Sequence, residues 1–521
     1  MSLARKYTTV GTATLMSRLT GFVRDVMIAA VLGSSAVADA YIAAFLLPNL
    51  FRRVLSEGAF NAAFVPIYTR REAAEGRESV RAFAESALSA LLATVVVAVI
   101  VAEMAMPWII GALAPGFHTQ PGKFADAVTF GRIAFVFVGA VILVALLSSL
   151  LNAMGRYALV ALAPLVLNFM LIAVLAALLA MGWRESRPAG MALVVTVLAA
   201  GLAQLALVAY GLKRAGMGLR LRRPRGDRDV RMLMARILPG LMLAGAGHFN
   251  MVVAAQLSSS LPSAVSWLYY ADRIFQLPLG FVAAAIGVVL LPEVARALSA
   301  DDHAGAVAAS SRTLEFGLLL VVPAALAIAV LAEPIVDVIY RRGAFSADDS
   351  AATAQVLRAL AFALPFFVLV KALLPPYLAR ESIRTPVAAA LIGVAANIVV
   401  TLALIGPLGA VAAPIGVVVS ALVNAVVLAA GLMLTRGLPV DAAGWRNLPR
   451  IVAISCVTAG VAWGLARLCA DWLAPQASFP LRAATLTAIC VAGVLAHGAL
   501  MLASGLARRE GLLAALRRRR G

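Results

Sequence analysis

The residues of this chain best suited to bind a ligand are arginines that lie in otherwise apolar stretches. Positions 17–61 read SRLTGFVRDVMIAAVLGSSAVADAYIAAFLLPNLFRRVLSEGAFN, which is typical of two membrane helices joined by a short polar turn. A charge in hydrocarbon costs at least ~2.5–3.5 kcal/mol, so several charges in one helix pair need a water-filled cavity or partners of opposite sign. The planar, permanently charged guanidinium is well shaped to bind phosphate. These residues predict a cationic, anion-binding cavity inside a membrane protein.

The polar side chains of this stretch follow helical spacing. On the first predicted helix, Arg18 and Asp25 are seven residues apart and share a face, with Arg24 beside it. Ser17 shares the neighbouring stripe with Arg24. The second predicted helix carries a polar stripe at i, i+3, i+4, i+7 and i+8. That stripe consists of Asn49, Arg52, Arg53, Ser56 and Glu57.

A third group of polar residues lies on a later apolar stretch and consists of Asp272, Arg273 and Gln276. Counting ~1.5 Å per residue from the outer turns places Arg24 and Arg273 roughly 13 Å below the outer membrane boundary, with Arg52 deeper. Guanidiniums at overlapping depths favour a diphosphate ligand over a proton or a metal. The alternative is that the arginines only pair with acids and lock helices together. Those acids are Asp25, Glu57 and Asp272.

Three other polar residues lie at or in predicted spans. Asp39 begins the second helix at the outer face, where a carboxylate satisfies free N–H groups, so an N-cap is its default role and gating the alternative. Asn397 and Thr401 are one turn apart and could offer oxygens to a weakly bound cation, although an interhelical hydrogen bond is the more common role. The sequence contains no HExxH, GxSxG, Walker A or aspartate-rich diphosphate–metal motif. We therefore expect no enzyme, no cofactor and no dedicated metal site.

Composition predicts a polytopic, all-α membrane protein. Of 521 residues, 63% are hydrophobic and only 13% are charged, whereas a soluble domain is about a quarter charged. The net charge of +19 does not indicate nucleic-acid binding, because Lys and Arg concentrate in alternate loops as the positive-inside rule expects. That asymmetry places both termini in the cytoplasm. We expect about fourteen spans, at roughly 8–32, 38–62, 83–106, 127–152, 157–181, 189–212, 232–258, 264–292, 313–333, 353–375, 385–406, 409–434, 449–471 and 481–505.

An internal repeat predicts the domain organisation. The stretch SSAVADAYIAAFLLPNLFRR has a loose echo in SSLPSAVSWLYYADRIFQLPLG, and Pro66 then matches Pro292. Chance similarity between apolar helices is the alternative. The repeat predicts two six-helix lobes related by a pseudo-two-fold axis along the membrane normal, around a central cationic cavity. The expected segments are lobe 1–213, basic linker 214–231, lobe 232–436, an appended hairpin 449–505 and a basic tail 506–521.

The runs SRLTGFVRDVMIAAVLG, ADAYIAAFLLPNLFRRVLSEGAFNAAFVPIY and SWLYYADRIFQLPLG closely resemble the MurJ/MviN family of lipid II flippases. That family belongs to the multidrug/oligosaccharidyl-lipid/polysaccharide exporter superfamily. The resemblance implies transfer of the undecaprenyl-diphosphate-linked peptidoglycan precursor, lipid II, from the inner to the outer leaflet of the bacterial inner membrane by alternating access. It also implies that the last two spans form a groove for the polyprenyl tail.

The resemblance assigns roles to individual residues. It implies essential cavity arginines at Arg18, Arg24, Arg52 and Arg273. It implies supporting roles for Asp25, Asp39, Asn49 and Glu57, and we add Ser17 to the binding set and Arg53 to the supporting set. Many relatives carry Glu where this chain has Gln276, so a charge-switching role does not carry over to that position.

Several other functions are compatible with parts of this pattern of apolar spans and intramembrane arginines. The nearest alternative is an exporter of another polyprenyl-diphosphate-linked glycan or a cation-coupled drug exporter, although a drug exporter is expected to carry acids in its cavity. A polyprenyl-phosphate transferase would need metal-binding acids that are missing here. A scaffold for cell-wall synthesis would not need the arginines. We expect a monomer whose partners are lipid II, membrane lipids and the cell-wall synthesis machinery.

Overall fold

The computed structural model describes residues 3–56, 59–221, 228–285, 296, 302–378, 382–435 and 442–506. Every long regular element within these ranges is an α-helix, so the all-α prediction is confirmed. Hydrocarbon offers no water to backbone groups, and a helix satisfies them within one segment. The helices are α1 (Leu3–Leu32), α2 (Ala36–Ala44), α3 (Leu46–Ser56), α4 (Ala59–Leu113), α5 (Pro121–Ala153), α6 (Tyr157–Ala180), α7 (Arg187–Arg214), α8 (Arg228–Ser258), α9 (Ala264–Ala285), α10 (His303–Tyr340), α11 (Ala347–Ala361), α12 (Ala363–Leu373), α13 (Pro375–Leu378), α14 (Arg384–Leu408), α15 (Ala412–Thr435), α16 (Ala442–Leu468), α17 (Ala470–Leu473) and α18 (Phe479–Ala503).

Many of these helices are membrane spans by length and composition. Within the described residues, nine helical segments are long and apolar enough to cross a membrane. Two of them, Phe64–Leu113 and Arg384–Leu434, are 50 and 51 residues long, whereas one crossing needs only about 20 residues. The prediction of a polytopic membrane protein is confirmed, and the count of fourteen spans stays a prediction.

The chain divides into two compact units. Unit 1 comprises Met1–Ser266 and Arg342–Phe345, and unit 2 comprises Trp267–Arg341 and Ser346–Gly521. The predicted lobes, 1–213 and 232–436, were derived from the internal repeat, and they stay predictions.

The second predicted span, 38–62, begins with two separate helices in the structure. Helix α2 ends at Ala44 and α3 begins two residues later, so the helix is interrupted at Phe45. Phe45 lies three residues before Pro48, which has no N–H to donate to the carbonyl of Ala44 and whose ring would clash with that carbonyl. The proline therefore interrupts the helix ahead of its own position.

The same chemistry interrupts the predicted span 353–375. Helix α11 ends at Ala361 and α12 begins at Ala363. The residue between them, Phe362, again lies three positions before a proline, Pro365. Both interruptions share the sequence pattern Phe-x-Leu-Pro.

Unit 1 packs α7 tightly against α5 through small residues. A Cβ added at Gly190 would lie 2.8 Å from the ring of Phe130, and one added at Gly201 would lie 2.6 Å from the ring of Phe137. Small residues of this kind let membrane helices approach closely, where dispersion contacts hold them together.

Unit 2 holds its C-terminal hairpin, α16 and α18, against α10 with polar contacts inside an apolar interface. The Nε2 of His497 lies 3.0 Å from the carbonyl oxygen of Leu319, and its Nδ1 lies 3.2 Å from Oγ1 of Thr458. Closer to the start of α18, Arg482 donates to Asp337 at 3.2 Å. Hydrogen bonds between helices orient them where the hydrophobic effect cannot.

In unit 1, a cluster of two arginines and one aspartate, which we call the clasp, joins the start of α8 to α4. Arg70 and Arg71 donate to the two carboxylate oxygens of Asp229 at 2.6 and 2.7 Å. Burial pushes the pKa of Asp229 upward, but the hydrogen bonds and charges of the two arginines outweigh burial and hold that pKa below its ordinary value of 3.8.

We expect Asp229→Asn to lower the free energy of unfolding by about 1–3 kcal/mol at neutral pH, because two charge-assisted hydrogen bonds are lost. The folded-state pKa is depressed, so the clasp stabilises the protein above pH 3.8 and the contribution is lost as pH falls through and below that value. Thermal unfolding of purified protein in detergent, at neutral and at acidic pH, measures both effects.

The matched control is Asp126→Asn, which removes a carboxylate paired at 2.6 Å with Arg187, a side chain that is 62% exposed. An exposed pair contributes at most about 1 kcal/mol. An Asp229→Asn variant as stable as this control at neutral pH would show that the clasp is not structural.

Candidate functional site

The buried side-chain amide of Asn168, in α6, contacts the part of α1 that carries the predicted site residues. The Nδ2 of Asn168 donates to the carbonyl oxygen of Ser17 at 2.9 Å and to Oγ1 of Thr20 at 3.0 Å. Its Oδ1 accepts a hydrogen bond from Nη1 of Arg24 at 3.0 Å. Asn168 is only 5% exposed, so this amide fixes where the guanidinium of Arg24 lies.

Arg24 also pairs with the carboxylate next to it in sequence. Its Nε and Nη2 donate to Oδ1 of Asp25 at 3.0 and 2.7 Å. The side chains of Arg24 and Asp25 are 11% and 5% exposed. For this arginine the structure shows the acid pairing that the sequence offered as an alternative to ligand binding. The pairing also orients the guanidinium before any ligand arrives, which lowers the entropic cost of binding.

The other cation of α1 has a different environment. Arg18 is exposed, whereas Asp25 is buried, although their spacing predicts a shared face. Arg18 is therefore not part of the buried contact that Arg24 and Asp25 make.

The polar stripe of α3 is described only in part. Nη2 of Arg52 lies 3.5 Å from Oδ1 of Asn49, which is at the long limit for a hydrogen bond. Both residues are half-buried. The side chain of Arg53 and the whole of Glu57 lie outside the described residues.

In unit 2, the predicted site residues of α9 make two contacts, and each contact joins residues one helical turn apart. The Cζ of Arg273 lies 4.4 Å from the ring centroid of Tyr269, a cation–π contact. Nε2 of Gln276 donates to Oδ2 of Asp272, as their i, i+4 spacing predicts. An amide can donate to Asp272, whereas a glutamate at this position would place two carboxylates together, and one of them would have to bind a proton.

Asp39 does not cap its helix, so that prediction is wrong. The cap is Ser35, whose Oγ accepts from the backbone N–H of Ala38 at 3.2 Å. Asp39 follows in the first turn and is 0% exposed. Its Oδ2 accepts from Nζ of Lys123 at 2.5 Å, and its Oδ1 accepts from Ser266 N and Oγ at 2.9 and 2.5 Å.

Lys123, which completes this buried pair, was missed by the sequence reasoning. In the sequence it stands just before an apolar span, in a stretch that has few other cations. The structure places it in the first turn of α5, 6% exposed, with Nζ 4.2 Å from the ring centroid of Phe117. Its isolation from other cations was the available signal.

Asn397 and Thr401 fill a contact between α14 and α15. Both are 0% exposed, and Oγ1 of Thr401 donates to Oδ1 of Asn397 at 3.0 Å. A Cβ added at Gly416 would lie only 2.1 and 2.3 Å from these two oxygens, so the pair packs closely against α15. The described part of the chain holds no group of three His, Cys, Asp or Glu residues that could bind a metal. The weak cation site stays a prediction.

Comparison with known proteins identifies the family. The family model for lipid II flippase MurJ matches residues 28–482. The chain belongs to the MurJ family. A relative from Rhizobium meliloti (strain 1021), described as a probable lipid II flippase MurJ, is 41% identical over 488 residues, which cover 93% of this chain and 89% of the relative. The lipid II flippase MurJ of Burkholderia cenocepacia is 32% identical over 508 residues, which cover 94% and 95%.

Two solved structures share the fold of this chain. A lipid II flippase MurJ in an inward closed conformation matches with a TM-score of 0.76 at 20% identity, over 96% of this chain and 99% of that one. An inward-facing MATE transporter of the MOP superfamily matches with a TM-score of 0.65 at 14% identity, over 85% and 98%. The family resemblance predicted from the sequence motifs is confirmed, as is the all-helical fold.

We expect Asp39→Asn and Lys123→Met each to destabilise this MurJ family member by about 3–5 kcal/mol, because each leaves the other charge buried without its partner. The double variant should lose clearly less than the sum of the two. Chemical unfolding of the detergent-purified protein measures all four forms. Ser266→Ala serves as the control, since it removes one hydroxyl bond and keeps the backbone bond, at a cost of about 1 kcal/mol. Additive losses in the double variant would contradict the pairing.

Proposed function

We propose that this protein translocates lipid II, the undecaprenyl-diphosphate-linked peptidoglycan precursor, from the cytoplasmic to the periplasmic leaflet by alternating access. The observation that carries the proposal is the match of residues 28–482 to the lipid II flippase MurJ family. The protein acts in the bacterial inner membrane with both termini in the cytoplasm. It works as a monomer, without catalysis, beside the cell-wall synthesis machinery.

The diphosphate of lipid II is the part that needs the protein. It cannot cross ~30 Å of hydrocarbon unaided, and arginines supply the solvation that it loses. In this proposal Arg18, Arg24, Arg52 and Arg273 bind the phosphates, together with Ser17 and Asn49. The fixed guanidinium of Arg24 supports a role as the oriented anchor, because both Asp25 and Asn168 hold it.

We assign different roles to the arginines from where they lie. Nη2 of Arg52 lies 3.5 Å from Oδ1 of Asn49, so the two side chains can bind the same phosphate together. Arg18 is exposed and suits first contact with the head group. The membrane potential, negative inside, favours outward transfer of an anion by ~2.3 kcal/mol per charge per 100 mV.

The polyprenyl tail stays in the lipid, and we propose that the hairpin of α16 and α18 guides it. Support comes from large apolar side chains that these helices expose. On α16 and α18 they include Val457, Trp463, Val491, Val494 and Leu495, which are 51–72% exposed. A C55 chain can lie along such a surface without leaving hydrocarbon.

Arginine substitutions in a conditional flippase-depleted bacterium test the proposal. We expect Arg24→Ala, Arg52→Ala and Arg273→Ala to reach the membrane at normal levels and still fail to rescue growth, with lipid II held in the inner leaflet. Blotting checks protein levels, and leaflet-specific labelling of lipid II reports transport. Arg24→Lys should also fail, because one ammonium cannot replace the planar fork between Asp25 and Asn168.

Arg187→Ala is the matched control for Arg24→Ala. It breaks an arginine–carboxylate pair of 2.6 Å whose arginine side chain is 62% exposed, and we expect full rescue. Rescue by all three alanine variants at normal membrane levels would make the arginines structural and would overturn the proposed mechanism.

A further inference from the structure

Unit 1 contains a cavity of about 600 Å³ beside the end of α7, and none of the residues discussed above line it. Its polar side is formed by Arg81, Lys213 and Arg220, and no acidic side chain is among the described residues that line it. Its apolar side is formed by Leu88, Leu147 and Leu212. The cavity therefore combines three positive charges with a hydrocarbon wall.

Hydrogen bonds fix part of the polar side of this pocket, while the side chains of Lys213 and Arg220 are exposed. Arg81 donates through Nη2 to the carbonyl of Gly218 at 2.6 Å and through Nε to Glu85 at 3.2 Å. The backbone N–H of Arg220 donates to the same carboxylate at 3.1 Å. Glu85 is 1% exposed. One buried carboxylate thus fixes both the arginine of α4 and the segment that follows α7.

A tight turn brings that segment back over the helices. Gly216 has φ +77°, a conformation that favours glycine. Met217 follows it, 4% exposed, with its N–H bonded to the carbonyl of Leu212 at 3.0 Å. The turn keeps Gly218 and Arg220 next to α4.

The pocket lies close to the C-terminal ends of α5 and α7 in unit 1. Helix α7 ends at Arg214 and α5 ends at Ala153, and both contribute lining residues close to these ends. Tyr210, which also lines the pocket, is 56% exposed, as expected for an aromatic side chain at the interface. The basic groups lie towards the helix ends, and Leu88 and Leu147 lie further along the spans.

We propose that this pocket binds the phosphate-bearing head group of an anionic phospholipid, with the acyl chains against Leu88 and Tyr210, which are half-buried and exposed. Lys213 and Arg220 meet the phosphate with charge-assisted hydrogen bonds, and basic pockets between membrane helices are suited to such head groups. A free phosphate would leave the apolar wall unused. The proposal is independent of which substrate the protein transports, since it concerns a structural lipid at a separate pocket.

Binding to the purified full-length protein tests this inference. The ligands are dioctanoyl-phosphatidylglycerol, dioctanoyl-phosphatidylcholine with the same chains and no net charge, and glycerol 3-phosphate with no chains. Native mass spectrometry counts bound lipid, and titration measures affinity. We expect wild-type protein to prefer the anionic lipid over both other ligands.

The decisive variant is Lys213→Gln/Arg220→Gln, which removes two charges and keeps the backbone bond from Arg220 to Glu85. We expect affinity for the anionic lipid to fall about tenfold or more. The matched control is Arg77→Gln/Arg156→Gln, which removes the same charge from exposed positions that do not line the pocket. Its affinity should stay within about twofold of wild type.

A second variant keeps the test informative if the first one misfolds. Ala209 lines the pocket and is exposed, so Ala209→Glu should fold and repel the head group, while Ala209→Gln should bind as wild type does. Equal losses in the pocket and control variants, equal binding of phosphatidylcholine, or equal binding of glycerol 3-phosphate would each overturn the proposal. None of these outcomes depends on a transport assay. Failure of this proposal can therefore be told apart from failure of the proposed function.

Discussion

The ion pair between Asp39 and Lys123 sets the positions of several segments in unit 1. Removing two charges from water costs several kcal/mol per ion, and the cost is offset only when the geometry is good and the remaining hydrogen-bonding sites are filled. Here Ser266 fills the second oxygen of the carboxylate, and the ring of Phe117 faces the ammonium. The pair therefore fixes three segments relative to one another: the start of α2, the start of α5 and the chain at Ser266.

The same rule governs other charges that this protein buries. Asn168 and Asp25 surround Arg24, while Asp337 accepts hydrogen bonds from both Arg482 and Arg341. Each buried carboxylate among these has its cation within the same compact unit. Arg18 is exposed and lies outside these buried contacts.

Hydropathy and charge are local properties, which explains what the sequence could predict. Apolar stretches of membrane length predicted the helices, and the cost of intramembrane charge marked Arg24 and Asp25 as residues needing a special environment. The partners were not predictable, because Asn168 is 144 residues from Arg24 and Lys123 is 84 residues from Asp39. The wrong N-cap of α2 had a local cause. Ser35 and Asp39 are both capping residue types, and the sequence does not decide between them.

The interruption at Phe45 divides the segment that carries Asp39 and Arg52 into two helices. Pro48 cannot donate to the carbonyl of Ala44, so no hydrogen bond between these two residues fixes the angle between α2 and α3. Helix α2 is anchored, because the carboxylate of Asp39 lies in the buried pair with Lys123. Helix α3 carries Asn49 and Arg52, so its direction after Phe45 determines where this guanidinium lies relative to the anchored carboxylate.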